Sequence, residues 1–304
     1  MAKMTKKKLI GRLKFEWQYH AMMLPAVILI FIFNYMPAYG NLMAFMDYGP
    51  GLGMKSPWCG FDNFAYIFVQ KSFWRAAKNT LIIGSTTYVL SILLNVTVAL
   101  LLNEIHKGFV RKTYQTLMYL PGLVAWVIMA GMFQELLSSK GAVNMLITAL
   151  GGKKIGFLSD PAVFRYTIIV SELWKGVGGG IIIYLAALTN IDPGLYEAAT
   201  MDGATRFQQA WHITLPMIRP TVILLSVLSL GSLLSASFDQ IFNLYSPSVY
   251  STGDVISTFM YRCAFYDMKW GPSAAIGIAQ VFISGIFVLL STVLADKLAG
   301  YKIW

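Results

Sequence analysis

The chain has 304 residues, of which 57% are hydrophobic and 12% charged. Soluble domains carry roughly 25% charged residues, so this composition excludes an ordinary soluble domain and places the chain in the membrane class. The formal charge of +10 does not imply a nucleic-acid partner, because no aromatic-interleaved basic groove accompanies it. The basic residues crowd instead at Lys3, Lys6, Lys7, Lys8, Arg12 and Lys14, ahead of the first apolar run. That placement is an orientation signal and a contact for anionic lipid head groups.

Residues 1–20 are expected to form a cytoplasmic basic tail, and residues 21–304 one transmembrane domain. The first span is expected at about Met22–Phe45, with Pro25 and Pro37 near its ends. Crossing the hydrocarbon takes roughly 20 apolar residues, and this run suffices. No small-x-small site follows it, so it reads as a span and not as a cleaved signal peptide. An outer loop, 47–79, rich in Gly, Pro and aromatics, leads to a second span at Thr80–Leu102. The short inner loop Asn103–Thr113 carries Lys107, Arg111 and Lys112. A third span is expected at Tyr114–Phe133, containing Pro121-Gly122, followed by an outer loop at 134–163. The fourth, Phe164–Leu188, is interrupted by Gly176, Gly178, Gly179 and Gly180. The fifth is expected at Thr221–Tyr245 and the sixth at Ala274–Ala295, with an outer loop at 246–273 between them. Both termini then fall inside, and the Lys and Arg bias leans inward, mostly through the N-terminal tail.

The polar stretch 191–220 joins the fourth and fifth spans on the inner side. Asp192 can cap a helix whose first position suits Pro193, which lacks only an N–H that would be orphaned there. That helix runs through Glu197, Ala198 and Ala199 to Asp202, where Gly203 ends it. Thr205 can cap a second helix, in which Phe207, Ala210, Trp211 and Thr214 share one face. Leu215-Pro216 is expected to close it, because proline disfavours helical geometry in the residue before it. The result is a helix–turn–helix whose first member sets one acid beside two alanines, a shallow surface that a partner backbone can approach closely.

The pattern Glu197-Ala198-Ala199, three residues, Gly203, nine residues, Ile213-Thr214-Leu215-Pro216 resembles the cytoplasmic EAA loop of permease subunits of binding-protein-dependent ABC importers. The segments Asn34-Tyr35-Met36-Pro37-Ala38-Tyr39-Gly40 and Phe238-Asp239-Gln240-Ile241-Phe242-Asn243 look like oligosaccharide permeases of the LplB type, related to maltose and alginate importer permeases. Against the maltose pore subunit, this chain lacks the extra N-terminal spans and the large outer domain. The resemblance implies an all-α membrane protein of the MetI-like, type I importer fold, with six transmembrane helices, in the bacterial cytoplasmic (inner) membrane. It implies a second permease subunit, expected as a heterodimer, two ATP-binding subunits below and an extracellular solute-binding protein above. Glu197, Ala198, Ala199, Asp202, Gly203, Ile213, Leu215 and Pro216 would be the ATPase-coupling residues. The chain itself has no G-x4-G-K-[ST] phosphate loop, and His20, His106 and His212 are far apart in sequence. No enzyme activity, cofactor or metal is therefore expected in it, and ATP and Mg would sit on the partner ATPases.

Ionisable and polar groups inside spans are candidates for the solute path. Asp239, Gln240 and Asn243 suit a hydroxyl-rich solute. Glu172 and Lys175, at i and i+3 beside Trp174, read either as an internal ion pair with glycines for close packing or as a path in which Trp174 stacks on a sugar. Tyr88, Asn95, Tyr184 and Gln280 are weaker candidates. Cys59 and Cys263 fall in outer loops and are expected to be unpaired thiols. An ion-coupled secondary transporter is the competing reading, but the Gly-interrupted fourth span has no clear counterpart in the first half.

Overall fold

The computed structural model describes residues 17–105, 108–231, 233–235 and 237–299. The basic tail through Arg12 and Lys14, Lys107 and residues 300–304 lie outside the described residues. Within them the regular elements are all helical, beside one isolated β-bridge between Met46 and Trp58. In chain order they are α1 (Trp17–Phe45), α2 (Asp62–Val69), α3 (Lys71–Asn103), α4 (Gly108–Leu123), α5 (Trp126–Leu137), α6 (Ala142–Ala149) and α7 (Pro161–Thr189). Then come α8 (Pro193–Met201), α9 (Arg206–Leu230), α10 (Phe238–Leu244), α11 (Tyr250–Gly253), α12 (Ile256–Phe265) and α13 (Trp270–Ala299).

Five helices (α1, α3, α7, α9 and α13) are long and apolar enough to cross a membrane, and the bent pair formed by α4 and the run Trp126–Ala149 makes a sixth. Helix α7 is the central strut: 39% of its most apolar window is buried, against 17% for α3, α9 and α13 and none for α1. Asp160 starts it by accepting from the Ala162 N–H at 2.9 Å, with Pro161 at the first turn. The glycine run does not interrupt this helix; it lets α4 approach. A Cβ on Gly178 would stand 2.2 Å from the Met118 carbonyl oxygen.

Two expectations are corrected. The third span is not straight: α4 and the following run meet at 98°. Pro121 offers no N–H to the turn behind it, and Ala125 is extended (ψ 146°). The Gly122 carbonyl beside the break accepts from Lys175 Nζ at 3.4 Å. Nor does Leu215-Pro216 close a helix. Ala210–Thr214 form one π turn, and the Leu215 N–H bonds to the Ala210 carbonyl, so the helix runs through the proline into the membrane span. The wider turn makes room where a proline ring would strike the carbonyl four residues back. The same device recurs in α1, where the π turn Phe31–Tyr35 precedes Met36-Pro37 and the Met36 N–H reaches Phe31. The fifth span is therefore Arg206–Leu230. The short helix α10 follows after Ser237, held at φ +67°.

A buried ion pair ties segments between the spans together. Asp254, with no exposed surface, takes Arg262 Nη2 on Oδ2 at 2.6 Å and Nη1 on Oδ1 at 3.1 Å. Its Oδ1 also accepts from Thr258 at 2.9 Å, and its backbone carbonyl accepts from Asn79 Nδ2 at 3.1 Å. Arg165 in turn donates to Asn79 Oδ1 at 2.9 Å. Helices α3, α7 and α12 meet in this network. Asp254→Ala would strand the Arg262 charge and is expected to destabilise the fold by about 3 kcal/mol. Thermal melting of the purified protein reads this; an unchanged midpoint would show that the network is dispensable.

Candidate functional site

The loop between α7 and α9 is built from local signals. Asp192 accepts from the Gly194 N–H at 2.9 Å and Pro193 takes the first turn of α8. At its other end Gly203 sits at φ +79°, a conformation that costs glycine little. The Gly203 N–H returns to the Thr200 carbonyl at 3.0 Å and the Ala204 N–H to the Ala199 carbonyl at 2.9 Å, the two bonds of a Schellman turn. Thr205 then caps α9 reciprocally: its Oγ1 accepts from the Gln208 N–H at 3.3 Å, and its own N–H donates to Gln208 Oε1 at 2.8 Å. The glutamine arm of this capping box went unread in the sequence, although its three-residue spacing is a usable signal.

Two side-chain ties lock α8 against the first turns of α9. Buried Gln209 donates from Nε2 to Thr200 Oγ1 at 2.9 Å, and the Tyr196 and Thr214 hydroxyls meet at 3.0 Å. Tyr196 and Thr200 thus point toward α9, while Glu197 and Ala198 are exposed. Ala199, Asp202, Gly203 and Ile213 line a groove of about 320 Å³ between the two helices, with Gln208 and His212 on its far wall. Leu215 is half-buried and Pro216 exposed. The loop therefore presents the Glu197 carboxylate, with Asp202 at the turn, and a small-residue surface on a rigid support.

The span residues proposed for a solute path divide. Gln240 is fully buried and donates from Nε2 to the Ile168 carbonyl and to Ser171 Oγ, both at 2.8 Å, tying α10 to α7. Tyr184 is buried among Leu185, Leu188 and Ile218. Asp239 is exposed, and Asn243 is half-buried, its Nδ2 donating to the Asp239 carbonyl at 2.6 Å. Gln134 of α5 donates to the Asn243 carbonyl at 2.9 Å, so α5 and the short helix α10 touch. Trp174 stands edge-on to Phe133 at 5.9 Å, and Lys175 lies 5.2 Å over the Trp126 ring. Both belong to the break between α4 and α5. Glu172, whose carboxylate feels the Lys175 charge, also lines a cavity of about 220 Å³ with Thr87, Ser91 and Asn95, where its Oε2 is buried without a hydrogen-bond partner. Of the weaker candidates, Tyr88 donates to the Ser226 carbonyl at 2.9 Å and Gln280 to the Leu234 carbonyl at 2.9 Å.

A polytopic helical protein with a rigid helix–turn–helix between its fourth and fifth spans is the architecture of a transport permease. Residues 88–300 match the model of the binding-protein-dependent transport system inner membrane component family, and the chain belongs to that family, a family of permeases and not of enzymes. It is 37% identical over 284 residues to Protein LplB of Bacillus subtilis, covering 93% of this chain and 89% of LplB. It is 35% identical over 297 residues to the polygalacturonan/rhamnogalacturonan transport system permease protein YteP of the same organism, covering 97% and 92%. The fold matches, with a TM-score of 0.88 and 38% identity, a chain in the crystal structure of a bacterial ABC transporter involved in import of the acidic polysaccharide alginate. That match covers 96% of this chain and 99% of the other. A bacterial alginate ABC transporter in complex with an alginate pentasaccharide-bound periplasmic protein gives 0.87 at 37% identity, covering 95% and 98%. The MetI-like fold expected from the loop motif, and the kinship with LplB-type permeases expected from the 34–40 and 238–243 segments, are thus established.

Both cysteines are free. Burial, with Asp267 adding to it, pushes the Cys263 thiol up to about 11, so little of it is the reactive thiolate at neutral pH. A maleimide at pH 8 is expected to label Cys59 and spare Cys263 in the folded protein, and to label both after denaturation. Mass spectrometry without reductant checks it; a bridged peptide pair would refute the assignment of two free thiols.

Proposed function

We propose that this chain is the pore-forming permease subunit of an ABC importer for an oligosaccharide, working with a second permease, two ATP-binding subunits and an extracellular solute-binding protein. The observation that carries the coupling role is the outward presentation of Glu197 and Ala198 on the capped helix α8. A helix locked to the start of a membrane span by Gln209 and the Tyr196–Thr214 pair transmits a push on its surface to that span as a rigid body. Glu197 would be the charged contact on the ATPase, Ala198 and Ala199 the close-packing face, and Asp202 and Gly203 the turn that keeps the pair together. Ile213, Leu215 and Pro216 carry the movement through the π turn into the fifth span. ATP and Mg²⁺ would be bound by the partner ATPases. In this orientation the loop and both termini face the cytoplasm, with residues 21–304 as one permease domain.

The relatives named for polygalacturonan/rhamnogalacturonan and for alginate make uronate-containing oligosaccharides the first solutes to screen. Trp174 and Lys175 at the α4–α5 break, with Asp239 and Asn243 on α10, are the residues we assign to the path. An aromatic face and an ammonium suit a sugar ring bearing a carboxylate.

Glu197→Lys tests the coupling role. The variant is expected to reach the membrane at wild-type yield and to lose uptake by at least roughly tenfold, as one reversed charge contact worth about 1.4 kcal/mol would do. ATP hydrolysis by the assembled complex should no longer respond to the loaded binding protein. Wild-type uptake in this variant would overturn the assignment.

A further inference from the structure

A wide apolar groove lies beside the candidate coupling loop and, Leu215 apart, outside the coupling and solute-path residues. It encloses about 630 Å³ between the last turns of α3 and the first half of α9. Leu93, Val96, Leu100 and Leu101 form one wall, and Phe207 and Trp211 rise from the other. The two rings stack at 6.3 Å and remain 76% and 60% exposed. One end of the groove is polar. There Arg206 stands 69% exposed, 3.8 Å from Glu104, which is itself half-exposed. A pair that long and that wet holds the guanidinium only weakly. Arg219 lies further along the same groove. Arg206 lies in the polar stretch 191–220 and Glu104 just past the end of α3, so this end sits where the spans leave the hydrocarbon.

We propose that this groove is a specific site for an anionic phospholipid of the cytoplasmic leaflet. The lipid lays one acyl chain along the leucine wall and its phosphate against Arg206. The chemistry matches at both ends. An apolar trough roomy enough for a hydrocarbon chain opens onto a cation, and Trp211 supplies the amphipathic ring favoured at the membrane–water boundary. Basic pockets between spans on the cytoplasmic side are suited to anionic head groups, each cation near the surface contributing about 1 kcal/mol. A zwitterionic lipid would bring its own ammonium to Arg206 and lose that gain. The site joins the end of α3 to the helix that carries the coupling loop, so an occupied groove would brace the loop's support. The leaflet named here rests on the orientation given under Proposed function; the lipid contact itself does not.

The test uses the complete complex, tagged on this chain, delipidated in mild detergent and incubated with phosphatidylglycerol or phosphatidylcholine vesicles. Native mass spectrometry then counts retained lipid. Wild type is expected to keep phosphatidylglycerol and release phosphatidylcholine. Arg206→Gln should lower phosphatidylglycerol retention about fivefold. Leu93→Trp, at a residue 59% exposed in the structure, should block the trough and displace the lipid without harming the fold. Equal retention of both lipids, or unchanged retention in both variants, would overturn the proposal. So would loss of the second permease or an ATPase from either variant, since the groove would then be a subunit interface. The reading of the chain as an importer subunit is tested separately, by whether the wild-type complex contains ATPases at all.

Discussion

A chain that crosses hydrocarbon has no water to receive an unpaired backbone carbonyl or amide, and the departures from straight helix here are shaped by that requirement. Of the prolines inside spans, which include Pro25 and Pro220, two, Pro37 and Pro216, are each preceded by a five-residue π turn in which the N–H before the proline finds a carbonyl five residues back. A third, Pro121, precedes the 98° bend, and there a lysine side chain from the next span reaches the exposed Gly122 carbonyl. The fold tolerates broken spans because neighbours supply the missing partners. Lys175 supplies a donor at one break. Gln240 and Gln134 anchor the short helix α10 to α7 and α5.

The same continuity gives the loop mechanical meaning. Had the helix ended at Pro216, α8 and its partner would be a loosely tethered pair on the membrane surface. Because the π turn carries the helix through the proline, the second loop helix and the fifth span are one rod, Arg206–Leu230. Helix α8 is fixed to that rod by Gln209–Thr200 and Tyr196–Thr214. The family to which the chain belongs transports solutes with a binding protein as partner. In the proposed importer this rod, with the Glu197 helix fixed to it, is the lever on which the partner ATPase would act.

The local features of the loop were legible in the sequence because each depends on neighbours within a few residues. The Asp192 cap, the Pro193 start, the left-handed Gly203 and the Thr205 cap all stand where their side-chain chemistry placed them. The π turns were not legible. Proline's local rule predicts a stop, and the gain from keeping a membrane helix continuous overrides it. The bend after Pro121 was half visible, in that Pro121-Gly122 marked a weak point but not its angle. The Asp254–Arg262 network escaped notice because it closes through Asn79, 175 residues away, which no spacing rule reaches. Gln240 shows the opposite difficulty. A polar group in a span suggests a lumen, yet its amide is taken up by the neighbouring helix, and sequence alone cannot tell a tie from a contact with solute.

The most direct test of the central claim, that this chain is a motor-driven pore subunit, is the intact mass of the complex purified gently from native membranes through a tag on this chain. The account predicts one copy of this chain with a second six-span permease and two ATPase subunits. Recovery of the chain alone, or as a plain homodimer without an ATPase, would contradict it and leave Glu197 without a partner to push on.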